Sequence, residues 1–173
     1  IVATGALPWI PDIPGLGNHG VLPALEVLRG TKTGKNVIVV GGGMIGRDIA
    51  LFLAEQGRSV TITTRRDAIA REISREERNA YFARLSRQDA TVLTGMHLVE
   101  VRPNGITVHD WLGNPREIEG DTVILATGMR PERKLWDELR VLSGLELYAA
   151  GDCIKPRKIY DAMHEGFQAG FHL

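Results

Sequence analysis

Glycines at 41, 43 and 46, in the run Gly41-Gly42-Gly43-Met44-Ile45-Gly46, stand at the spacing G-x-G-x-x-G. No side chain in this run is an acid, a base or a nucleophile. The chemistry open to it is to hold an anion with its backbone. Gly41 permits a tight turn, Gly43 leaves the backbone bare for a pyrophosphate, and Gly46 lets a following helix pack close to the preceding strand. The start of that helix, at Met44 and Ile45, adds unpaired N–H groups and a partial positive charge. A second group suits the same kind of ligand: Arg65, Arg66 and, five residues past Arg66, Arg71. Guanidinium–phosphate contacts are charge-assisted and often bidentate.

The elements around the glycines decide whether the spacing means anything. Before them runs Val37-Ile38-Val39-Val40, a β-branched strand pattern. After them Ile45, Ile49, Phe52 and Leu53 recur at helical spacing. Gly57 stops the helix, and residues 60–64 give a second strand. A strand, helix and second strand are the context in which the glycine fingerprint predicts a bound dinucleotide. A strand ending in Asp or Glu would point to the ribose hydroxyl of NAD. Here Thr63 and Thr64 end it and arginines follow, which favours the 2′-phosphate of NADP, while Gly46 in place of alanine points back toward NAD. A solvated basic loop is the plain alternative. Asp48 either helps to place the nicotinamide half or complements the helix dipole.

Elsewhere, Ile1-Val2-Ala3-Thr4-Gly5 reads as a short buried strand with an edge through which copies could pair. The prolines and glycines of residues 7–20 form a connector, and residues 22–28 carry a short helical pattern. Ser74 and Glu77 form a capping box, opening a helix that runs to about Gln88 and buries Phe82 and Leu85. Residues 90–94 are a strand, and residues 98–101, 105–109 and 116–118 an antiparallel meander. Residues 121–126 are an apolar parallel-type strand ending, like the first, in Ala-Thr-Gly. A short helix at 135–139, a strand at 148–152 and a last helix follow. That helix has Ile159, Ala162, Met163, Gly166, Phe167 and Gly170 on one face. The fold class is α/β: a Rossmann-like three-layer parallel sheet with an antiparallel meander, inserted in another, partial domain. The boundaries predicted are 1–15 with 124–173 for the outer domain, 16–29 for the connector and 30–123 for the inserted one.

Lys plus Arg and Asp plus Glu are 21 each, so the net charge is zero, which argues against nucleic acid as the main partner. A single cysteine, Cys153, excludes an internal disulfide and a four-cysteine metal site, and reads as a small buried hydrophobe. His164 reads as a helix surface or packing residue, and His97, His109 and His172 lack metal-ligand spacing. No apolar run approaches a membrane span and no signal peptide is visible, so a cytoplasmic protein is the default. The chain opens at Ile1 inside a strand-like run, and the expectation is a piece of a longer protein.

The glycine fingerprint between Ala3-Thr4-Gly5 and Ala126-Thr127-Gly128, followed by Gly151-Asp152 before a final helix, resembles the glutathione reductase-like flavoproteins with two dinucleotide-binding domains. Residues 128–132 and the run AAGDCIKPRKIYDAMHEGFQAG are similar to the carboxy-terminal part of the old yellow enzyme-type NADH:flavin oxidoreductases, the dienoyl-CoA reductase and trimethylamine dehydrogenase group. The resemblance implies an NAD(P)H-binding module that delivers hydride to FAD. The parent chain would add the other half of the FAD domain and a flavin barrel with FMN and an iron–sulfur cluster. It implies a place for Asp152 on the flavin ribityl chain, for Thr4, Gly5 and Gly151 beside FAD, and for Gly128 beside NAD(P). It names no catalytic side chain, because the cofactors carry the chemistry; the fragment alone would not turn over. Two other readings stay open: a structural module that holds only an adenine nucleotide, and a disulfide reductase whose cysteine pair lies elsewhere.

Overall fold

The structure, a computed structural model, describes residues 1–17, 20–142 and 144–172. In chain order its elements are β1 (Ala6–Pro8), β2 (Val21–Pro23), α1 (Ala24–Leu28), β3 (Asn36–Val40), α2 (Met44–Glu55), β4 (Ser59–Thr64), α3 (Arg75–Leu85), β5 (Ala90–Thr94), β6 (His97–Arg102), β7 (Gly105–His109), β8 (Pro115–Glu119), β9 (Thr122–Leu125), β10 (Met129–Pro131), α4 (Lys134–Leu139), a 3-10 turn at Gly151–Cys153, and α5 (Ile159–Phe171). The chain divides into two compact units, one of residues 10–128 and one of residues 1–9 with 129–173.

The continuous unit is built on a parallel sheet in the order β2-β9-β3-β4-β5. Alternation along its strands feeds two cores. Val37, Val39, Val60, Ile62 and Ile124 point to one face, where they meet Ile49, Leu53, Tyr81 and Leu85 of α2 and α3. Ile38, Val40, Val123 and Leu125 point to the other, against Leu98, Val101, Ile106, Val108 and Ile118 of the β6-β7-β8 meander. The result is the three-layer α/β arrangement expected, with strands apolar on both faces as parallel sheets require.

Several expectations shift. Residues 10–29, assigned to the outer domain and a connector, belong to the continuous unit, because β2 pairs with β9 and α1 packs into the helix-side core. Residues 124–128 belong there too, since β9 lies between β2 and β3 rather than at a crossing point. The capping box is formed: the Ser74 hydroxyl accepts from the Glu77 N–H at 3.1 Å, and Glu77 accepts from the Ser74 N–H at 3.2 Å. The helix stops at Leu85, however, and turns Tyr81 and Leu85 inward, which leaves Phe82 exposed in edge-on contact with Tyr81. Phe52 is likewise exposed, because α2 buries the stripe Gly46, Ile49, Ala50, Leu53 and Ala54.

At the start of the sheet the Asp121 carboxylate joins two strand entries. Its Oδ2 accepts from the N–H groups of Lys35 and Asn36, each at 2.9 Å, and its Oδ1 from the Thr122 hydroxyl at 3.0 Å. Burial pushes this carboxyl up, but the Asn36 N–H, the Thr122 hydroxyl and the Lys35 N–H outweigh it and hold it below its ordinary value of 3.8. A depressed folded-state value means stability present above the unfolded value and lost as pH falls through the folded one. Urea midpoints should therefore decline as pH drops below about 4, and Asp121→Asn should lower the midpoint at pH 7 and flatten that decline. An unchanged acid limb in the variant would remove Asp121 from its causes.

In the second unit β1 and β10 pair antiparallel. The Thr4 hydroxyl donates to the Glu132 carbonyl at 2.6 Å, and the Glu132 N–H to the Gly5 carbonyl at 3.0 Å. Residues 1–5 do not form a strand. Val2 makes a single parallel bridge to Ala149, and its N–H is used by the Tyr148 carbonyl at 2.8 Å, so one bridge stands where a strand was expected. The strand expected at 148–152 likewise reduces to that bridge and the 3-10 turn. On α5 the buried residue is Ala169, whereas Ile159, Met163 and Phe167, which share a face, are exposed in this unit.

Candidate functional site

The first candidate site lies at the carboxyl ends of β3, β4 and β9 in the continuous unit. As the chain leaves β3, the Gly41 N–H donates to the Thr63 carbonyl at 2.8 Å. Gly41 has φ +119°, and a Cβ there would stand 2.2 Å from the Ala126 carbonyl oxygen. A Cβ on Gly46 would stand 1.9 Å from the Gly41 carbonyl oxygen. The first and third glycines therefore close the turn against β9 and against α2. Gly43 is different: it is the N-cap of α2, without a side-chain cap, and its Cβ would meet only Glu72 Oε1, at 3.9 Å. Beyond that oxygen, its bare face is open. Met44 is exposed and Ile45 half-buried on the first turn behind it.

Gly42, which the spacing leaves as a free position, has its own reason. A Cβ would stand 2.3 Å from Ile69 Cγ2, and its carbonyl accepts the Ala70 N–H at 3.0 Å. Residues 65–73 are thereby clamped over the turn, with Ile69 and Ala70 fully buried and Ala70 at φ +56°. The buried Thr64 precedes them, and its hydroxyl accepts the Arg66 N–H at 3.3 Å. Arg66 pairs with Glu72, and Arg71 with Asp67 at 3.0 Å. Among the described residues Arg65 is the member of the basic set without an ion pair. The structure thus brings Arg66 beside the glycine turn while giving it an acid already. Burial raises the Glu72 carboxyl, but its own backbone N–H, the Arg66 hydrogen bond and the Arg66 and Arg47 charges hold it below the usual range.

Arg47, next to the third glycine, escaped the sequence reading. Its side chain is mostly buried, and its Nε lies 3.3 Å from Asp48 Oδ1 with no hydrogen-bond partner among the described residues. The Asp48 carboxylate is largely exposed and turned to this neighbour. Tyr81 donates to the Arg47 carbonyl at 3.1 Å, which ties α3 to α2. Burial, with the Asp48 charge second, pushes its phenol up to about 12. Gly128, at φ +122°, has open space around it.

The second candidate site belongs to the other unit. A cavity of about 500 Å³ is lined by Gly5, Gly151, Asp152, Lys158, Ala162 and Gly166 among others. Gly5 and Gly151 have φ of +77° and +79°, so each presents backbone where a side chain would be strained. Asp152 Oδ1 accepts the Arg157 N–H at 3.0 Å. The Glu165 carboxylate accepts the Gly151 N–H at 2.8 Å and pairs with the Arg157 guanidinium; these two bonds, Arg157 first, hold it below the usual carboxylate range. Arg157 and Glu165 carry no sequence signal, because only the fold brings α5 against the turn. The Thr4 hydroxyl spends its proton on the Glu132 carbonyl and keeps only its accepting capacity for a ligand. Cys153 is buried with its thiol 3.2 Å from the Ala150 carbonyl and 3.3 Å from that of Val2, a packing role. No cluster of metal-ligating side chains occurs among the described residues, and none of their helices is long and apolar enough to cross a membrane.

A parallel sheet whose βα turn is closed by glycines and backed by an antiparallel meander defines a Rossmann-like, dinucleotide-binding class of protein. The chain belongs to the pyridine nucleotide-disulphide oxidoreductase family, whose pattern matches residues 1–166. It is 32% identical to a metal reductase of Desulforamulus reducens over 96% of this chain and 29% of that protein. It is 30% identical to an NADH oxidase of Thermoanaerobacter brockii over 100% of this chain and 27% of that protein. A solved complex of 2-naphthoyl-CoA reductase with 2-naphthoyl-CoA superposes with a TM-score of 0.88 at 29% identity, covering 97% of this chain and 26% of the other. The chain spans under a third of the length of each of these proteins.

Proposed function

We propose that this chain is the nicotinamide-dinucleotide-binding module, with part of the FAD-binding domain, of a larger NAD(P)H-dependent flavoprotein oxidoreductase of the old yellow enzyme type. Residues 10–128 hold the nicotinamide dinucleotide, and residues 1–9 with 129–173 supply Gly5, Gly151 and Asp152 to FAD. The observation that carries the reading is the division of labour among the glycines: Gly41 and Gly46 closed by packing, Gly43 open at an uncapped helix start. That geometry suits a pyrophosphate. When bound, reduced nicotinamide and flavin supply the hydride chemistry, and the chain's own residues bind and orient them. A flavin barrel with FMN and an iron–sulfur cluster would complete the parent protein and choose its substrate. The relatives' reductase and oxidase names agree with that assignment.

For the dinucleotide, Arg65 supports NADP over NAD, with Arg66 and Arg71 joining it once they leave their acids. Two arginine–phosphate contacts at roughly 1.5–3 kcal/mol each would give a preference of about a hundredfold or more. The existing pairs of Arg66 and Arg71 favour a second reading, in which the adenine half alone is recognised and the module is structural. Calorimetric titration with NADPH, NADH and ADP at one salt concentration separates them. The expected result is tightest binding of NADPH, with the advantage lost in Arg65→Ala/Arg66→Ala. Equal, weak binding of all three, unaltered in the double variant, would favour the structural module.

A further inference from the structure

The bare face of Gly43 is already looked upon by an anion. Apart from Gly43's own chain neighbours, the heavy atom nearest to where its Cβ would be, and the only one within 4 Å among the described residues, is Glu72 Oε1. If the missing Cβ exists to let phosphate approach, a carboxylate oxygen stands in the path. It is not there by the accident of a loose loop. Ile69 and Ala70 are buried against the turn, and the Ala70 N–H is bound to the Gly42 carbonyl, so the backbone two residues before Glu72 is fixed. Arg66 grips the carboxylate from the same loop. The uncapped start of α2 is a favourable place for negative charge, and no acidic residue of its own first turn fills it. Glu72 thus sets negative charge in the free protein near where a phosphate would set it in the complex. Its side chain keeps about a third of its surface exposed, 31%, and has room to leave.

We propose that Glu72 is a built-in competitor for the nucleotide phosphates, which displace its carboxylate from Gly43 and take over Arg66 as their own partner. The idea rests on the dinucleotide reading above and deepens it: it makes Glu72 a residue that sets affinity without being a ligand. Arg66 then contributes little net affinity in the native chain, because binding exchanges one anion for another, and the preference for NADPH rests there on Arg65 and Arg71. In Glu72→Gln it contributes in full.

The test is titration of the chain and of Glu72→Gln, Arg66→Ala and the double variant with ADP, NADH and NADPH, with adenosine as the probe lacking phosphate. Glu72→Gln should bind all three phosphorylated probes about fivefold or more tightly and adenosine as before. Arg66→Ala should cost more affinity in the Glu72→Gln background than alone, a non-additivity that a structural role would not produce. Glu72→Asp, which retracts the carboxylate by one methylene, should give an intermediate gain and keeps the test open if the glutamine variant folds poorly. Equal ADP affinity in the native and glutamine chains would overturn the proposal and leave the nucleotide site standing. Weaker NADH binding in Glu72→Gln with NADPH unaffected would overturn it by making Glu72 an acceptor for the ribose hydroxyl. Absence of binding by any chain to any phosphorylated probe would sink both the proposal and the site.

Discussion

Gly46→Ala should destabilise the continuous unit by roughly 3 kcal/mol and weaken ADP binding by an order of magnitude or more. The added methyl would stand 1.9 Å from the Gly41 carbonyl oxygen and 3.1 Å from the Ala126 methyl. Neither contact ends on a flexible side chain, so α2 must move away from the turn. Its first N–H groups move with it, and they are the ones that would face the phosphates. The comparison that isolates the cause is Gly43→Ala. There the nearest atom is 3.9 Å away and φ is −78°, so folding should change by less than about 1 kcal/mol while phosphate affinity falls. Urea midpoints and ADP titrations of the two variants should part in this way. A Gly46→Ala chain as stable as the parent would mean that the helix slides without cost. The clash also bears on dinucleotide choice: alanine at this place, taken as a mark of NADP binding, does not fit the present turn without a shift of α2.

Ile69→Ala should cost about 2–4 kcal/mol, an effect of core size from a residue in a loop. Ile69 is 1% exposed and packs on Gly42, whose missing side chain makes the space for it. Removing it opens a void at the larger of the two fully buried side chains that hold residues 65–73 over the glycine turn. The loss should be felt locally before it is felt globally. Trypsin under native conditions should cut at Arg65, Arg66 or Arg71 much faster in the variant, and the three basic residues should bind phosphate with less order. Unchanged cleavage alongside a lower urea midpoint would show that the loop is held by its ion pairs instead.

Much of the sheet was legible because its determinants are local. The β-branched runs at 37–40 and 60–64, the glycines between them and the Ser74–Glu77 box each specify their own geometry within a few residues. What was not legible depends on distant partners. Residues 121–126 read correctly as a buried parallel strand, but nothing in them says that they lie between β2 and β3, and the domain boundary was misplaced with them. Phe52 and Phe82 are apolar at helical spacing, yet which edge of a helix turns inward is set by what the sheet presents. At the candidate site the backbone turn was visible and the side-chain pairings were not. Glu72 and Asp67 reach Arg66 and Arg71 only because Ile69 pins the path between them, and Arg157 meets Glu165 only where α5 crosses the 3-10 turn. Gly42 was hidden by the motif itself, which treats its position as indifferent.

The place of β9 has a consequence for the birth of the molecule. β2 and β3 flank it, so β2 has no sheet partner, and β3 none on that side, until residues 122–125 exist, about a hundred residues after β2 has been made. During synthesis the β3-α2-β4-β5 half can assemble, but β2 and one side of β3 must wait, apolar and unpaired. Contacts so far apart in sequence are closed late and at an entropic cost. The nascent chain is therefore most exposed to aggregation while the meander is being made, and the strand that arrives last, TVIL, is the one that seals the sheet.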